Sequence, residues 1–460
     1  MRNFWSVLAV SAAVVVAPAV QAETLADAMV SAYKSSNLLD QNRAVLRATD
    51  EDAAIALSRL RPVVDFTAQG GWAKYDNAFA SASLPQPYYE GFSGSMNLSA
   101  SILIWAGGRG KLSVDLARES VLSTRAALVN VEQQVLLGAV SAFVNVRLQL
   151  EIVDLRESNV RLIGQELKAA RDRFEVGEVT KTDVSLAEAQ LAAARANLAA
   201  AQGQLAMARE AYKAATGHYP NRLSGLPRLP ATAKSLDGAR AVALRTHPFI
   251  IQSQHDAKAA ELQVAIAKTG VLPTIAGSVG VSENLSSGLG NTSIGLSFNQ
   301  PIYHGGEISA MYRKALAGKE IAQAGLHQTA VNVGQNVGNA WANLAVAGAS
   351  IAAGSGQVTA AQAAFDGVRE EAALGARTTL DVLNAEQDLS DARATKLQAE
   401  ANRYVGTYQL LSAMGLLTAD HLKLGVPSYD PEAYYNAVKT APATSVQGKR
   451  LDKILGKIGN

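Results

Sequence analysis

The sequence is written twice. Residues 25–66 align without gaps onto residues 236–277 at an offset of 211, and residues 107–217 onto residues 305–415 at an offset of 198. In the first block Gln41 meets Gln252, Ile55 meets Ile266 and Pro62 meets Pro273. In the second, Gly107-Gly108 meets Gly305-Gly306, Phe143 meets Trp341, Gly177 meets Gly375 and Asp183 meets Asp381. A duplication of this extent constrains the fold strongly: each half must build the same unit, and the units must be able to lie side by side. The offset falls by 211 − 198 = 13, and the surplus belongs to residues 73–92, against the shorter stretch 284–290.

Each unit alternates helix and strand. Residues 25–60 have helical spacing and end before Pro62; residues 236–270 repeat this and end before Pro273. Both stretches are expected to be single helices. Period-two alternation follows. Val64, Phe66, Ala68, Gly70 and Trp72 fall on one side, with Asp65, Thr67 and Gln69 on the other. Met96, Leu98, Ala100, Ile102 and Ile104 form a second such run. The second unit repeats the pattern with Ile275 to Val281 and Ile294 to Phe298. The polar sides are Ser, Asn, Thr and Gln rather than Lys and Glu, which suits a watery lumen. Trp72 and Tyr75 stand at one end, Trp105 and Tyr303 at the other, as in the aromatic girdles of membrane barrels. Four strands cannot close a barrel, and an open edge in lipid leaves backbone groups unsatisfied. Such a chain is expected to oligomerise.

After the strands, residues 107–177 contain no proline and predict a helix of roughly 105 Å. The chain returns over residues 180–216 and pauses in the Pro/Gly-rich stretch 217–235. The second unit repeats the long stroke over 305–375 and the return over 378–414. In the first return, Val184, Leu191, Leu198, Leu205 and Tyr212 recur every seven residues, as do Ala187, Ala194, Ala201, Ala208 and Ala215. This is a coiled-coil seam with alanine at one position. Ala189, Ala193, Ala196 and Ala200 put small residues on other faces too, so the helix can accept neighbours on two sides. Aromatics make up only 6% of the chain, a poor supply for a thick core but adequate for a wall one helix thick.

The N-terminus reads as an address. Arg2, an apolar run from Phe4 to Val20 and the small-residue site Val20-Gln21-Ala22 fit a secretory signal peptide over 1–22. No later segment has the ~18 uninterrupted apolar residues of a membrane helix. The domain reading is therefore a signal peptide at 1–22, a first repeat at 23–235, a second at 236–417, and a C-terminal segment and tail at 418–460.

The segment Leu374-Gly-Ala-Arg-Thr-Thr-Leu-Asp-Val-Leu-Asn384 resembles the periplasmic turn of TolC-type outer-membrane efflux proteins. So do Val176-Gly-Glu-Val-Thr-Lys-Thr-Asp-Val184 in the first copy and Pro301-Ile-Tyr-His-Gly-Gly306 at the strand-to-helix junction. The resemblance covers residues 24–417. It implies a mixed α and β membrane protein: four transmembrane strands per protomer complete a twelve-stranded barrel in a homotrimer. A long antiparallel helical barrel in the periplasm of a Gram-negative bacterium continues it, with 217–235 and the C-terminal segment forming an equatorial belt. It implies a passive exit duct for small molecules or unfolded proteins in a tripartite efflux or type I secretion system. The partners would be a periplasmic adaptor (membrane fusion) protein, an inner-membrane transporter, ABC-type or proton-driven, and outer-membrane lipid.

The resemblance also assigns residues. Asp381 matches the acidic ring that narrows the periplasmic entrance, and Asn384 stands where the family has a second aspartate, halving the ring's charge. Arg377, with Thr182 and Asp183 as partners, matches a lock that holds the closed state; the lock's tyrosine is Ala372 here. The turns Val176, Gly177, Glu178 and Leu374, Gly375, Ala376 are where an adaptor would dock. The alternative from another class is a structural periplasmic coiled-coil or adaptor protein without a pore.

No catalytic constellation competes. The six histidines are scattered, with no zinc-protease pair, phosphate loop or dinucleotide motif. Gly354-Ser355-Gly356 has no strand before it and is no nucleophile elbow. His255-Asp256 reads as a solvated pair, and the basic stretch 449–457 as a solvated end. Zero cysteines exclude disulfides, thiolate metal sites and a lipidated cysteine. The balance of 42 Lys+Arg against 40 Asp+Glu excludes a strongly basic nucleic-acid binder. The chain is expected to be no enzyme and to carry neither metal nor cofactor.

Overall fold

The computed structural model describes residues 22–75, 89–285, 288–427 and 429–438, with residues 449 and 453. The expected signal peptide, most of the 73–92 insertion and most of the 449–457 tail lie outside the described residues. The first repeat comprises α1 (Leu25–Ser35), α2 (Asn37–Ser58), β1 (Val63–Tyr75), β2 (Tyr89–Trp105), α3 (Arg109–Glu175) and α4 (Lys181–Thr216). The second comprises α5 (Leu236–Thr246), α6 (Pro248–Lys268), β3 (Thr274–Asn284), β4 (Leu289–Asn299), α7 (Glu307–Ala373) and α8 (Thr379–Ala413). A short α9 (Pro431–Val438) follows. The long helices α3 and α7 have 67 residues each, so the duplication holds to the residue there.

The two expected single helices are each broken, and at the same repeat position, Ser36 and His247. Pro248 causes the second break: it forces the preceding residue out of the helical region, and His247 is extended at ψ 126°. The buried His247 ring then caps α6 by accepting the Phe249 N–H at 3.2 Å, and burial holds its pKa below the ordinary value. No proline marks the first break. Ser36 turns extended there and accepts the Leu39 N–H at 3.3 Å, a hydroxyl cap in place of a ring constraint.

The chain divides into two compact units. One contains the sheet, residues 35–138, 230–357 and 399 onward. Its four strands lie in chain order, β1-β2-β3-β4, all antiparallel. The register aligns Val64, Ala100, Val279 and Ile294 across all four strands, and beside them Asp65, Ser99, Gly280 and Ser293. Alternation along each strand thus becomes one apolar and one polar face across the sheet. The apolar face is bare: Ile294 is 83% exposed and Phe66 64%. Trp72, Trp105 and Tyr303 are also exposed.

Two glycines in left-handed conformation, Gly107-Gly108 and again Gly305-Gly306, carry the chain from strand to helix. A Cβ on Gly107 would lie 2.4 Å from Leu272 Cδ1, so the site needs glycine for space as well as for φ. In this unit Ala239, Ala243, Ile250, Val337, Leu410 and Met414 form a core where α8 ends against α5–α6. There Thr246 Oγ1 donates to the Met414 carbonyl at 2.8 Å.

His255 and Asp256 are not the solvated pair expected from sequence. His255 Nδ1 lies 2.8 Å from Glu119 Oε2, and Ser123 Oγ donates to Asp256 Oδ1 at 2.7 Å. Both bonds join α6 to α3, and at a separation of some 130 residues no local pattern announces them.

The other unit gathers, among the described residues, 22–34, 139–229 and 358–398. Here the heptad seam of α4 is buried through Ala187, Ala194, Ala201, Leu205, Ala208 and Tyr212. Alanine lets the helices approach closely, while Phe143 and Tyr212 fill the wider end with ring centroids 6.5 Å apart. Phe143 is fully buried, and truncating such a ring costs about 3–5 kcal/mol. Ala189, Ala193, Ala196 and Ala200 are exposed.

Candidate functional site

The two helical hairpins, α3–α4 and α7–α8, turn by the same device. Gly177 and Gly375 take φ +80° and +79°. The Gly177 N–H reaches the Phe174 carbonyl and the Glu178 N–H the Arg173 carbonyl; Gly375 reaches Ala372 and Ala376 reaches Glu371. Each helix thus ends in a Schellman motif, whose left-handed residue favours glycine. Three residues after the glycine, a threonine starts the return helix. Thr180 donates its N–H to Asp183 Oδ2 at 2.9 Å and its hydroxyl at 2.8 Å, while the Asp183 N–H returns to Thr180 Oγ1 at 3.3 Å. Thr378 and Asp381 repeat this at 3.0, 2.8 and 3.2 Å. These are capping boxes with aspartate as the third residue. The Thr180 backbone and side-chain hydrogen bonds hold Asp183 below the usual carboxylate range, and those of Thr378 do the same for Asp381.

Val176, Gly177, Glu178, Leu374, Gly375 and Ala376, the turns where an adaptor is expected to dock, are all exposed, Leu374 at 87%. A cleft of about 710 Å³ opens between the hairpins. Asp183 and Arg377 both line it, together with Arg173, Glu178, Thr180 and Thr378. Arg377 Nε donates at 2.8 Å to Oε2 of Glu371, which is not among the lining residues, and Glu371 raises the Arg377 pKa further. Thr182, Asp381 and Asn384 are not among the cleft's lining residues. Asn384 is exposed and stands three residues after Asp381 on α8, so the two share a helix face.

Sequence reasoning missed the bonds that tie α3 to α8. Arg173 Nη2 donates to Thr379 Oγ1 at 3.4 Å. Arg156 donates to Ser390 Oγ and to Asp391 Oδ1, both at 3.0 Å. The buried Asn159 donates to Glu386 Oε1 at 3.2 Å. Burial pushes the Glu386 pKa up, and the Asn159 bond only partly offsets this. The sequence offered no local signal for them: Thr379, Glu386, Ser390 and Asp391 all lie outside the α8 counterparts of the α4 heptad seam. Among the described residues no cluster of three or more His, Asp or Glu side chains could hold a metal ion.

The family model for "Outer membrane efflux protein" matches residues 29–218 and 240–416. The outer membrane efflux protein BepC of Brucella suis is 36% identical over 437 residues, covering 93% of each chain. The outer membrane protein TolC of Escherichia coli is 26% identical over 70% of this chain and 69% of its own. The crystal structure of the CmeC outer membrane channel of Campylobacter jejuni superposes with a TM-score of 0.77 at 18% identity, covering 90% of this chain and 89% of that one. The chain belongs to the outer membrane efflux protein family. It is an outer-membrane efflux channel whose helical part lies in the periplasm, a class of tripartite efflux and type I secretion systems. The relatives lend no support to a coiled-coil protein without a pore.

Proposed function

We propose that three copies of this chain join β4 of one to β1 of the next and form a passive duct across the outer membrane. The observation that carries this is the sheet itself. Among the described residues β1 pairs only with β2, and β4 only with β3. Both edges therefore present unpaired backbone in a sheet whose apolar face is bare, and only closure satisfies them in lipid. Helix α7 adds support: Ile321, Val331 and Val346 along it are all exposed, Ile321 at 74%, an apolar surface suited to a neighbouring helix. The first repeat (23–235), the second (236–417) and the C-terminal segment (418–460) then each appear three times around the ring. The stretch 217–235 and the C-terminal segment serve as a belt, and residues 1–22 direct export.

At the tip, the exposed turns at Val176–Glu178 and Leu374–Ala376 serve as seats for a periplasmic adaptor. Asp381 from three copies forms the entrance constriction, with Asn384 contributing size but no charge. Arg377 is the movable element of the closed-state lock: it faces the same cleft as Asp183 and exchanges its Glu371 partner for the Thr182–Asp183 side as the tip closes. An inner-membrane transporter supplies the energy. Cysteines placed at Ser293 on β4 and Asp65 on β1 test the ring. Oxidation should yield a covalent trimer that resists boiling in SDS, with single channels in planar bilayers; a soluble monomer without conductance would refute it.

A further inference from the structure

Basic residues gather near the junctions of helices and strands. Arg59 and Arg61 stand between α2 and β1, Arg109 and Lys111 at the start of α3, Lys268 at the end of α6 and Arg313 near the start of α7. Among the described residues none of these six makes an ion pair with a carboxylate. The acids close by in sequence are Asp65, Asp115, Glu261 and Glu307; Asp115 pairs with Arg118, Glu261 with Lys258 and Lys319, and Glu307 has His304 at 4.0 Å. Such a collar lies at the periplasmic rim of the bare apolar face, where an outer membrane presents phospholipid headgroups.

One place on the collar is a built groove. Ala267, Val271 and Ile308 line a depression of about 360 Å³ between the end of α6 and the start of α7, closed at one side by Tyr312. Lys268 and Arg313 line it as well, and the Lys268 Nζ sits 5.8 Å from the centre of the Tyr312 ring. The combination is a floor of methyl groups, an aromatic ring and two cations with no anion between them.

We infer that the α6–α7 groove binds an anionic glycerophospholipid of the inner leaflet, with Lys268 and Arg313 on its phosphate and Val271 and Ile308 against the first methylenes of its chains. Basic residues beside a bilayer attract anionic lipid, and the groove is large enough for a headgroup and glycerol. The lipid would brace the junction between barrel and tunnel, which the protein itself spans with a few residues on either side of the paired glycines.

The inference rests on the strand ends lying at the periplasmic face of the bilayer, and the test separates the two. Full-length protein is assembled in nanodiscs of equal parts phosphatidylglycerol and phosphatidylcholine, and the lipids it retains on release are weighed by native mass spectrometry. The expected result is retained phosphatidylglycerol with a preference on the order of 10- to 30-fold. Lys268→Gln with Arg313→Gln should abolish that preference. Lys314→Gln, next in sequence but outside the groove, should keep it. Equal retention of both lipids by the parent, or equal loss in Lys314→Gln, would overturn the proposal. Stripping of the lipid by inorganic phosphate would also overturn it, showing a plain anion site. Quenching of Trp105 by brominated lipid, in a Trp72→Phe, Trp341→Phe background, reports the bilayer position independently. If Trp105 is unquenched, the placement has failed rather than the groove.

Discussion

Asp183 and Asp381 are the same residue in the two repeats, and each closes a capping box with the threonine three residues before it. The acid proposed for the entrance, Asp381, and the acid facing the cleft, Asp183, are therefore both structural elements of a helix start. Charge and helix geometry are coupled at this position. The pH dependence follows from the lowered pKa values, caused first by the threonine backbone N–H. A carboxylate with a depressed pKa stays charged down through its ordinary range and loses charge only as pH falls through the lowered value. Cation selectivity from reversal potentials in bilayers should thus be flat from about pH 8 to about pH 5 and fall only below the usual carboxylate pKa of about 4. Asp381→Asn should show the acid behaviour at neutral pH. Thr378→Ala should shift the fall to higher pH; an unmoved midpoint would sever the cap from the charge.

The Arg377–Glu371 pair is exposed on both sides, so it adds little to stability. Its removal should leave the melting temperature unchanged and alter gating instead. Arg377→Ser is expected to raise single-channel conductance by weakening the closed tip. Glu371→Gln should do the opposite, since it frees the guanidinium for Asp183. Identical currents in both variants would exclude the exchange of partners.

Asp50 on α2 is fully buried, and neither carboxylate oxygen has a hydrogen-bond partner. Burial raises its pKa to about 6, against the attraction of Arg125 and with the repulsion of Glu51. The C-terminal segment lies over it: Tyr434 donates to Glu51 Oε1 at 2.7 Å, Arg125 reaches Glu432 at 3.3 Å, and Arg43 stacks on Tyr429. Here the folded pKa is raised, so the charged form destabilises. The penalty is full above about pH 6 and disappears toward the unfolded value near 3.8. Asp50→Asn should therefore stabilise the protein at pH 7.5 by on the order of 2 kcal/mol and flatten its pH dependence. Hydrogen exchange of residues 429–438 against pH would measure this; greater protection at pH 7.5 than at pH 5 in the parent would contradict it.

Gly375→Val places a β-branched residue in a left-handed conformation and should cost the α7–α8 turn about 1–2 kcal/mol. The turn has open space around it, so only backbone strain acts. Faster amide exchange at position 375 and at Ala376, with the rest of the channel unchanged, is the expected reading.

The repeat, the long helices, the strand faces and the turn glycines were legible because each rests on local spacing. The break at Ser36 was not, because a single serine cap looks like any polar residue on a helix surface. The break at His247 had a visible cause in Pro248, which the overall helical spacing hides. The links from Arg156 to Ser390 and from Asn159 to Glu386 join residues more than 220 positions apart. Only the assembled hairpins bring them together. Arg377, Asp183 and Asp381 were found through a family resemblance; unaided, they are charges near turns. The two threonines that cap beside Asp183 and Asp381 follow a local spacing in sequence, whereas the Glu371 partner of Arg377 emerges only from the folded turn.

The two edges of the sheet are unlike. β1 is 13 residues long and begins a repeat's strand pair, while β4 is 11 and ends one. In a ring built from β4 to β1 every contact is head to tail, and no two subunits can pair off and leave the third aside. One subunit with a proline in β4 would leave the whole circle open, however sound its companions. In a cell making sound and faulty chains in equal number, only one assembly in eight would draw all three subunits sound, so such a lesion would be dominant.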